Sequence, residues 1–241
     1  MKKSTLFLVL VVSLIYVVSA PPRQGKTFYV TYKMMEILKK GKEKVFSNYP
    51  IIFEWLSYRE RFKNIFRYLL RKPLKKSKIF SSFMWKKEYM GDPIYDSSIV
   101  IDEAYREGVS SREWKDFSIQ QHTWFATNGH NLNDIWLIAQ NPARVDTIIR
   151  EMTNYFIFVK KKYFLWTIFL WFVIEYHTDD ANKKMNREPY FRERLTLRKD
   201  VMKAYDTHYF RDHKEPKLYS TWYDQLLRIQ AKNLECTNVQ S

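Results

Sequence analysis

Three short segments of this chain carry residue types and spacings suited to a nucleoside triphosphate. Ala20-Pro21-Pro22-Arg23-Gln24-Gly25-Lys26-Thr27 fits the phosphate-binding pattern A/G-x-x-x-x-G-K-S/T. Such a loop wraps backbone N–H groups around the β- and γ-phosphates and aims a helix N-terminus at them. Gly25 lets the backbone approach closely, Lys26 neutralises phosphate charge, and Thr27 offers a hydroxyl to Mg2+. Pro21 and Pro22 have no N–H to contribute, and Arg23 stands where glycine is commoner. Further on, Ser97 to Glu103 reads SSIVIDE, an apolar run ending in two carboxylates. Adjacent carboxylates after a buried run are costly unless a cation or hydrogen bonds receive them. Asp102 is the candidate ligand for Mg2+, and Glu103 the candidate for orienting and polarising an attacking water. Asp134 to Gln140, DIWLIAQ, ends a third apolar run in an amide, and Gln140 is placed to sense a γ-phosphate. The cofactors implied are ATP and Mg2+.

These groups work together only if secondary structure brings them to one place. A phosphate loop needs a buried strand leading in and a helix leading out. Ser13 to Ser19, SLIYVVS, is β-branched, aromatic and apolar, as a central strand should be. Phe28 to Lys40 has helical spacing at Tyr29, Met34, Ile37 and Leu38. Glu113 to Asn128 reads as a helix closed by Gly129, with Trp114, Phe117, Trp124 and Phe125 toward the core. The order strand–loop–helix, strand–DE, helix, strand–Q is a βαβ layout, so the sheet is parallel. The fold expected is α/β: a three-layer P-loop NTPase of the ASCE/RecA-like kind. Its central sheet is mainly parallel, with an antiparallel strand extension left open. The expected divisions are an apolar extension at 1–12, the P-loop domain at 13–210 and a tail at 211–241.

The N-terminus has a second reading. Lys2 and Lys3 precede an apolar run that ends in Val18-Ser19-Ala20, which suits a secretory signal peptide. Cleavage after Ala20 would remove the strand and cut the loop at its first residue, so the two readings exclude one another. Under the signal-peptide reading the chain is a secreted binding protein.

Two further stretches leave alternatives. Tyr163 to Tyr176 is uncharged until Glu175 and follows Lys160-Lys161-Lys162. It reads as a strand joined near the lysines to a strand over Tyr155 to Val159. A membrane or membrane-surface segment and a buried helix remain open, although the run is short for a span. In the basic stretch from Arg59 to Lys87, Phe62, Ile65, Phe66, Leu69 and Leu70 fall at helical spacing. One face is expected to pack and the other to be strongly positive, either as a solvated face or against DNA phosphates. The formal net charge of +15 biases the whole surface toward polyanions. With a single cysteine, Cys236, no intrachain disulfide forms.

The sequence resembles the Zot-like (zonular occludens toxin family) ATPases, which are similar to the FtsK–HerA class of DNA-pumping motors. The resemblance rests on SAPPRQGKTFYV, SSIVIDEAY, the GHNLNDIWLIAQ run from Gly129, PARVDTIIREMTNYFIF, and KAYDTHYF near Tyr205. It covers roughly residues 13 to 210. It implies a viral, plasmid or prophage protein that hydrolyses ATP to move double-stranded DNA or assemble a virion, with a capsid or membrane assembly partner. It also implies a homo-oligomeric ring of six subunits, in the host cytoplasm, at a membrane or in the virion. An arginine reaching the neighbour's γ-phosphate belongs to that picture. Arg150 is the leading candidate, with Arg144 beside it and Arg106 and Arg112 as alternatives. Ala20 and Arg23 depart from the glycines common in the family's loop. The chain also ends soon after the ATPase region, where filamentous-phage relatives continue, which places DNA packaging ahead of extrusion.

Overall fold

The computed structural model describes residues 13–41, 43–90, 92, 94–104, 109–110, 119–164, 169–178 and 188–205. The expected extension at 1–12, the tail at 211–241, Arg106, Arg112 and residues 113–118 of the expected helix at 113–128 lie outside them. In chain order the elements are β1 (Ile15–Ser19), α1 (Lys26–Lys40), β2 (Lys44–Ser47), β3 (Ile52–Trp55), α2 (Tyr58–Leu69), β4 (Lys78–Ser81) and β5 (Phe83–Met84). There follow β6 (Ser97–Ile101), α3 (Ile119–Ala126), α4 (Asn128–Asn131), β7 (Asp134–Ala139), α5 (Thr147–Met152), β8 (Tyr155–Phe164), β9 (Phe169–His177), β10 (Phe191–Thr196) and α6 (Lys199–Lys203).

Eight strands form one sheet in the order β10-β9-β8-β1-β7-β6-β2-β5. From β8 to β5 every neighbouring pair is parallel. β9 and β10 add an antiparallel edge, which is the strand extension left open by the sequence. β3 and β4 make a separate two-stranded antiparallel sheet.

Alternation along the central strands builds the two cores. Val18, Val100, Trp136 and Ile138 face α1, α6 and the small sheet. Val17, Ile99, Ile101, Ile135 and Leu137 face the other way, onto Trp124 and Phe125 of α3 and Ile149 of α5. Both faces are covered, so the strands are apolar throughout rather than alternately polar. The result is the three-layer α/β P-loop architecture expected. α1 is bounded by glycines at both ends, Gly25 at φ 90° and Gly41 at φ 65°. Gly41 N–H donates to Ile37 O and Leu38 O, closing the last turn in a left-handed cap.

The structure corrects two expectations. The lysine triplet does not mark a joint: Lys160, Lys161 and Lys162 lie within β8, and the connection falls at residues 165–168, outside the described residues. The ladder tolerates these charges because Lys160 reaches Glu175 on β9 at 2.5 Å, and Lys161 Nζ lies 5.1 Å from the centre of the Tyr163 ring. Tyr163 to Tyr176 is thus strand on either side of that connection, and no helix among the described residues is long and apolar enough to cross a membrane. The second correction concerns α2, whose apolar face is not packed into either core among the described residues: the helix has no buried residue. Phe62, Ile65, Phe66, Leu69 and Leu70 are all exposed.

Candidate nucleotide site

Four parallel strands end at one edge of the sheet: β1 runs into the loop at Ala20, and β7, β6 and β2 are followed there by Gln140, Asp102 and Asn48. Ser19 of β1 is in register with Ala139 of β7, so the loop at Ala20 and the amide at Gln140 start level with each other. Ile101 of β6 pairs with Leu137 of β7, which brings Asp102 to the same edge. Ser47 of β2 pairs with Val100, and Asn48 follows it. Polar groups at the C-terminal ends of parallel strands are where open α/β sheets bind ligands.

The loop and β6 meet through one short contact. Thr27 Oγ1, in the first turn of α1, donates to Asp102 Oδ2 at 2.8 Å. Asp102 Oδ1 accepts from Glu103 N–H at 2.8 Å. Asn48 then holds the backbone of Asp102 from both sides: its amide accepts from Asp102 N–H at 2.7 Å and donates to Asp102 O at 2.9 Å. Glu103 is held at φ +49°, a left-handed conformation uncommon for a residue with a Cβ.

Lys26 Nζ turns back into the loop and donates to Ala20 O at 2.8 Å and Pro21 O at 3.1 Å. Burial lowers its pKa, against the opposing charges of Asp102 and Glu103. Burial likewise raises the pKa of Asp102, against the hydrogen bonds from Thr27 and Glu103 N–H. Each charge is thus desolvated, the condition in which a counter-ion is most stabilising. The N-cap of α1 is Gly25, which has no side chain to cap it. The helix N-terminus thus presents its first amides toward the loop, as an anion site requires.

The loop's shape depends on two left-handed residues and on the β8–β9 hairpin. Arg23 has φ 61°, which accounts for glycine being the commoner residue there. Gly25, at φ 90°, lies directly under the Phe172 ring of β9, so a Cβ would fall 2.3 Å from Phe172 Cε1. Phe28 packs on the same ring with centroids 4.8 Å apart. Gln24 Oε1 accepts from Lys161 N–H of β8 at 3.1 Å, tying the loop's crest to the hairpin.

Gln140 and the arginines occupy the next stretch. Gln140 Oε1 accepts from Arg144 Nη1 at 3.1 Å, across a 3-10 turn at Pro142–Arg144. Arg150, on α5, donates from Nε to Val145 O and from Nη2 to Thr147 Oγ1, both at 3.2 Å. The structure thus joins Thr27 and Asp102 directly and sets Lys26, Glu103 and Gln140 on the same edge. Both arginines are held by their own segment. The sequence reading missed Asn48, Gln24's link to the hairpin, and Phe172. Asn48 follows a four-residue strand, KVFS, and Phe172 sits in an unbroken apolar run, so neither carried a local signal.

Against family models, residues 14–209 match the model for zonular occludens toxin (Zot). The chain belongs to the Zot family. Among solved structures, this Zot-family chain is similar to the N-terminal domain of zonular occludens toxin from Neisseria meningitidis. Identity there is 19%, over 81% of this chain and 100% of that one, with a TM-score of 0.47. It is also similar to the genome packaging NTPase B204 from Sulfolobus turreted icosahedral virus 2 in complex with ATP-gammaS. In that case identity is 11%, over 76% of this chain and 96% of that one, with a TM-score of 0.43. No curated protein matches the chain.

Proposed function

We propose that this Zot-family chain is an ATP-hydrolysing motor subunit that moves or packages double-stranded viral DNA. The observation that carries the reading is the contact between Thr27 Oγ1 and Asp102 Oδ2, beside a desolvated lysine and an uncapped helix N-terminus. A hydroxyl, a buried carboxylate and phosphate oxygens are hard donors of the kind Mg2+ takes. Thr27 and Asp102 would hold that ion, and the residues Ala20 to Thr27 would hold the triphosphate. Mg-bound ATP would supply an electrophilic γ-phosphorus with its charge partly neutralised.

The chain's own groups have separate tasks. Lys26 exchanges its two loop carbonyls for phosphate oxygens. Asn48 fixes the backbone at Asp102, so the carboxylate stays aimed at Thr27. Glu103 orients the attacking water and takes its proton. Gln140 reads the γ-phosphate, and its bond to Arg144 passes that state along the chain. The net charge of +15 suits a polyanionic track contacted through phosphates. A ring of six copies, with Arg150 or Arg144 reaching a neighbour's nucleotide, completes the scheme, at a capsid or membrane in the host cytoplasm.

β1 lies between β7 and β8 in the middle of the sheet. We therefore propose that it stays in the working protein and is not removed as part of a signal peptide. ATP turnover, with and without duplex DNA, tests the function in the purified chain beside Lys26→Ala and Glu103→Gln. Both variants should lose at least about a hundredfold in turnover, as removal of a preorganised group at the reacting centre commonly does. Glu103→Gln should keep its nucleotide affinity. Equal turnover in all three proteins, or a mature chain beginning at Pro21, would end the proposal.

A further inference from the structure

The helix α2 is amphipathic, but it is turned the wrong way round for a globular protein. At about 100° per residue, Tyr58, Phe62, Ile65, Phe66 and Leu69 share an arc of about 100°. All five are exposed, from Phe66 at 52% to Tyr58 at 80%. The opposite, polar side is the one that contacts protein. Asn64 Nδ2 donates to Lys75 O and Asn64 Oδ1 accepts from Lys75 N–H, both at 2.9 Å. Lys75 Nζ also lies 3.2 Å from a Glu60 carboxylate oxygen. The return segment between α2 and β4 thus covers the helix's hydrophilic back and leaves its apolar front to solvent. Ser57 Oγ accepts from Glu60 N–H at 3.3 Å, so the helix starts with its own cap and needs no neighbour to define it.

Charge identifies what the front would meet. Between Tyr58 and Lys78 there are nine basic residues (Arg59, Arg61, Lys63, Arg67, Arg71, Lys72, Lys75, Lys76 and Lys78) against one acid, Glu60. On the helical projection Arg59 and Arg61 flank the apolar stripe, one on each border. A stripe of Phe, Ile, Leu and Tyr edged by arginine and backed by lysine suits an interface between hydrocarbon and anionic headgroups. Duplex DNA offers phosphates but no apolar surface for five large side chains. A second copy presenting the same face would bring nine like charges against nine.

We propose that α2 is an interfacial anchor. It lies flat on an anionic lipid surface, with Phe62, Ile65, Phe66 and Leu69 among the acyl chains and the flanking arginines and lysines on the headgroups. Because the anchor is joined to the ATPase body through β3 and β4, the nucleotide site is carried at the membrane face without any spanning segment in this part of the fold. The anchor makes no use of the nucleotide groups, so it stands or falls separately from the proposed activity.

Co-sedimentation of the full chain with phosphatidylcholine vesicles, and with vesicles containing about a quarter phosphatidylglycerol, tests it. Partitioning should favour the anionic vesicles and weaken when NaCl is raised from about 0.1 to about 0.5 M, as screened headgroup contacts do. Phe62→Asn combined with Leu69→Asn should reduce it at least tenfold, since each loses a large apolar side chain from the hydrocarbon. Tyr95→Asn, at an equally exposed aromatic elsewhere, should leave it unchanged. Both variants should keep the parent's ATP turnover. No binding to anionic vesicles, or undiminished binding by the double variant, overturns the proposal. So does a double variant that changes the chain's mass in lipid-free light scattering, or its duplex DNA affinity, because the stripe would then be covered by protein or by nucleic acid.

Discussion

Replacing Gly25 by alanine should damage the phosphate loop in two separable ways. Gly25 sits at φ 90°, where a side chain is strained whatever space surrounds it. Holding a residue with a Cβ in such a region costs about 1–3 kcal/mol. The added methyl would also lie 2.3 Å from Phe172 Cε1 and 2.8 Å from Cδ1. Phe172 is 3% exposed, so its ring cannot swing into solvent. Overpacking of this kind costs about a further 1–3 kcal/mol. The sum is about 2–6 kcal/mol, and in a chain of this size each kcal/mol lowers Tm by about 2–4 °C. Thermal unfolding should therefore fall by at least about 4 °C. Affinity for a fluorescent ATP analogue should fall with it, because the displaced crest carries the loop's amides. Phe172→Val separates the two causes by removing the clashing ring edge. In that background Gly25→Ala should cost only the backbone part, leaving a coupling of about 1–3 kcal/mol between the sites. A Gly25→Ala protein that melts within about 1 °C of the parent and binds nucleotide as well would refute the reasoning. Equal cost of the substitution in both backgrounds would refute the part assigned to Phe172.

Arg23→Gly should raise stability by about 1 kcal/mol, read as a higher urea midpoint, because it relieves the left-handed strain at φ 61°. Asn48→Ala removes both hydrogen bonds that hold the Asp102 backbone. It should cost about 1–3 kcal/mol in denaturant unfolding and lower kcat more than it raises KM for ATP. Asp134 has its pKa raised from 3.8 to about 6, mainly by burial and in part by Glu43, against the hydrogen bond from Leu14 N–H. The folded chain therefore holds that proton more tightly than the unfolded one. Its stabilising contribution is complete below pH 4 and is lost as pH rises through about 6. Asp134→Asn keeps an oxygen for Leu14 N–H, so its Tm relative to the parent should rise between pH 4 and pH 7. The rise corresponds to about 1–2 kcal/mol after screening, and a flat difference across that range would sink the assignment.

The central sheet was legible in the sequence because its strands are apolar on both faces. Ile99-Val100-Ile101 and Ile135 to Ala139 announce themselves, and each is followed by a polar residue at the same edge of the sheet, Asp102 and Gln140. The antiparallel edge was harder to read. β10 is FRERLT, an edge strand with three charges in a row before a single buried leucine, and it carries no strand pattern strong enough to find. The phosphate loop was legible as a motif, but not the reason for its odd residues. Arg23 looked like a defect, and the structure shows it occupying a left-handed position that glycine would take without strain. α2 was legible as an amphipathic helix. Its orientation was not, because periodicity shows that a helix has two faces and leaves open which of them meets the body of the protein. Asn64 and Glu60 decide that through Lys75, across a return segment whose path has no sequence signature.

The position of β1 bears on how the protein is made. Leu14 N–H, just ahead of it, donates to Asp134, and its first residue, Ile15, donates to Asn154, 120 and 139 residues further along the chain. During synthesis this apolar central strand is therefore among the first described segments to leave the ribosome, and it has no partner until β7 and β8 have followed. Parallel pairing over such separations is slow, and an unpaired apolar strand invites aggregation in the interval. A nascent chain halted before residue 155 holds every residue of the phosphate loop but only one of the two strands that flank β1. The phosphate loop is thus encoded first and its setting in the sheet completed late, and ligand binding by staged truncations reports when that part of the chain has folded.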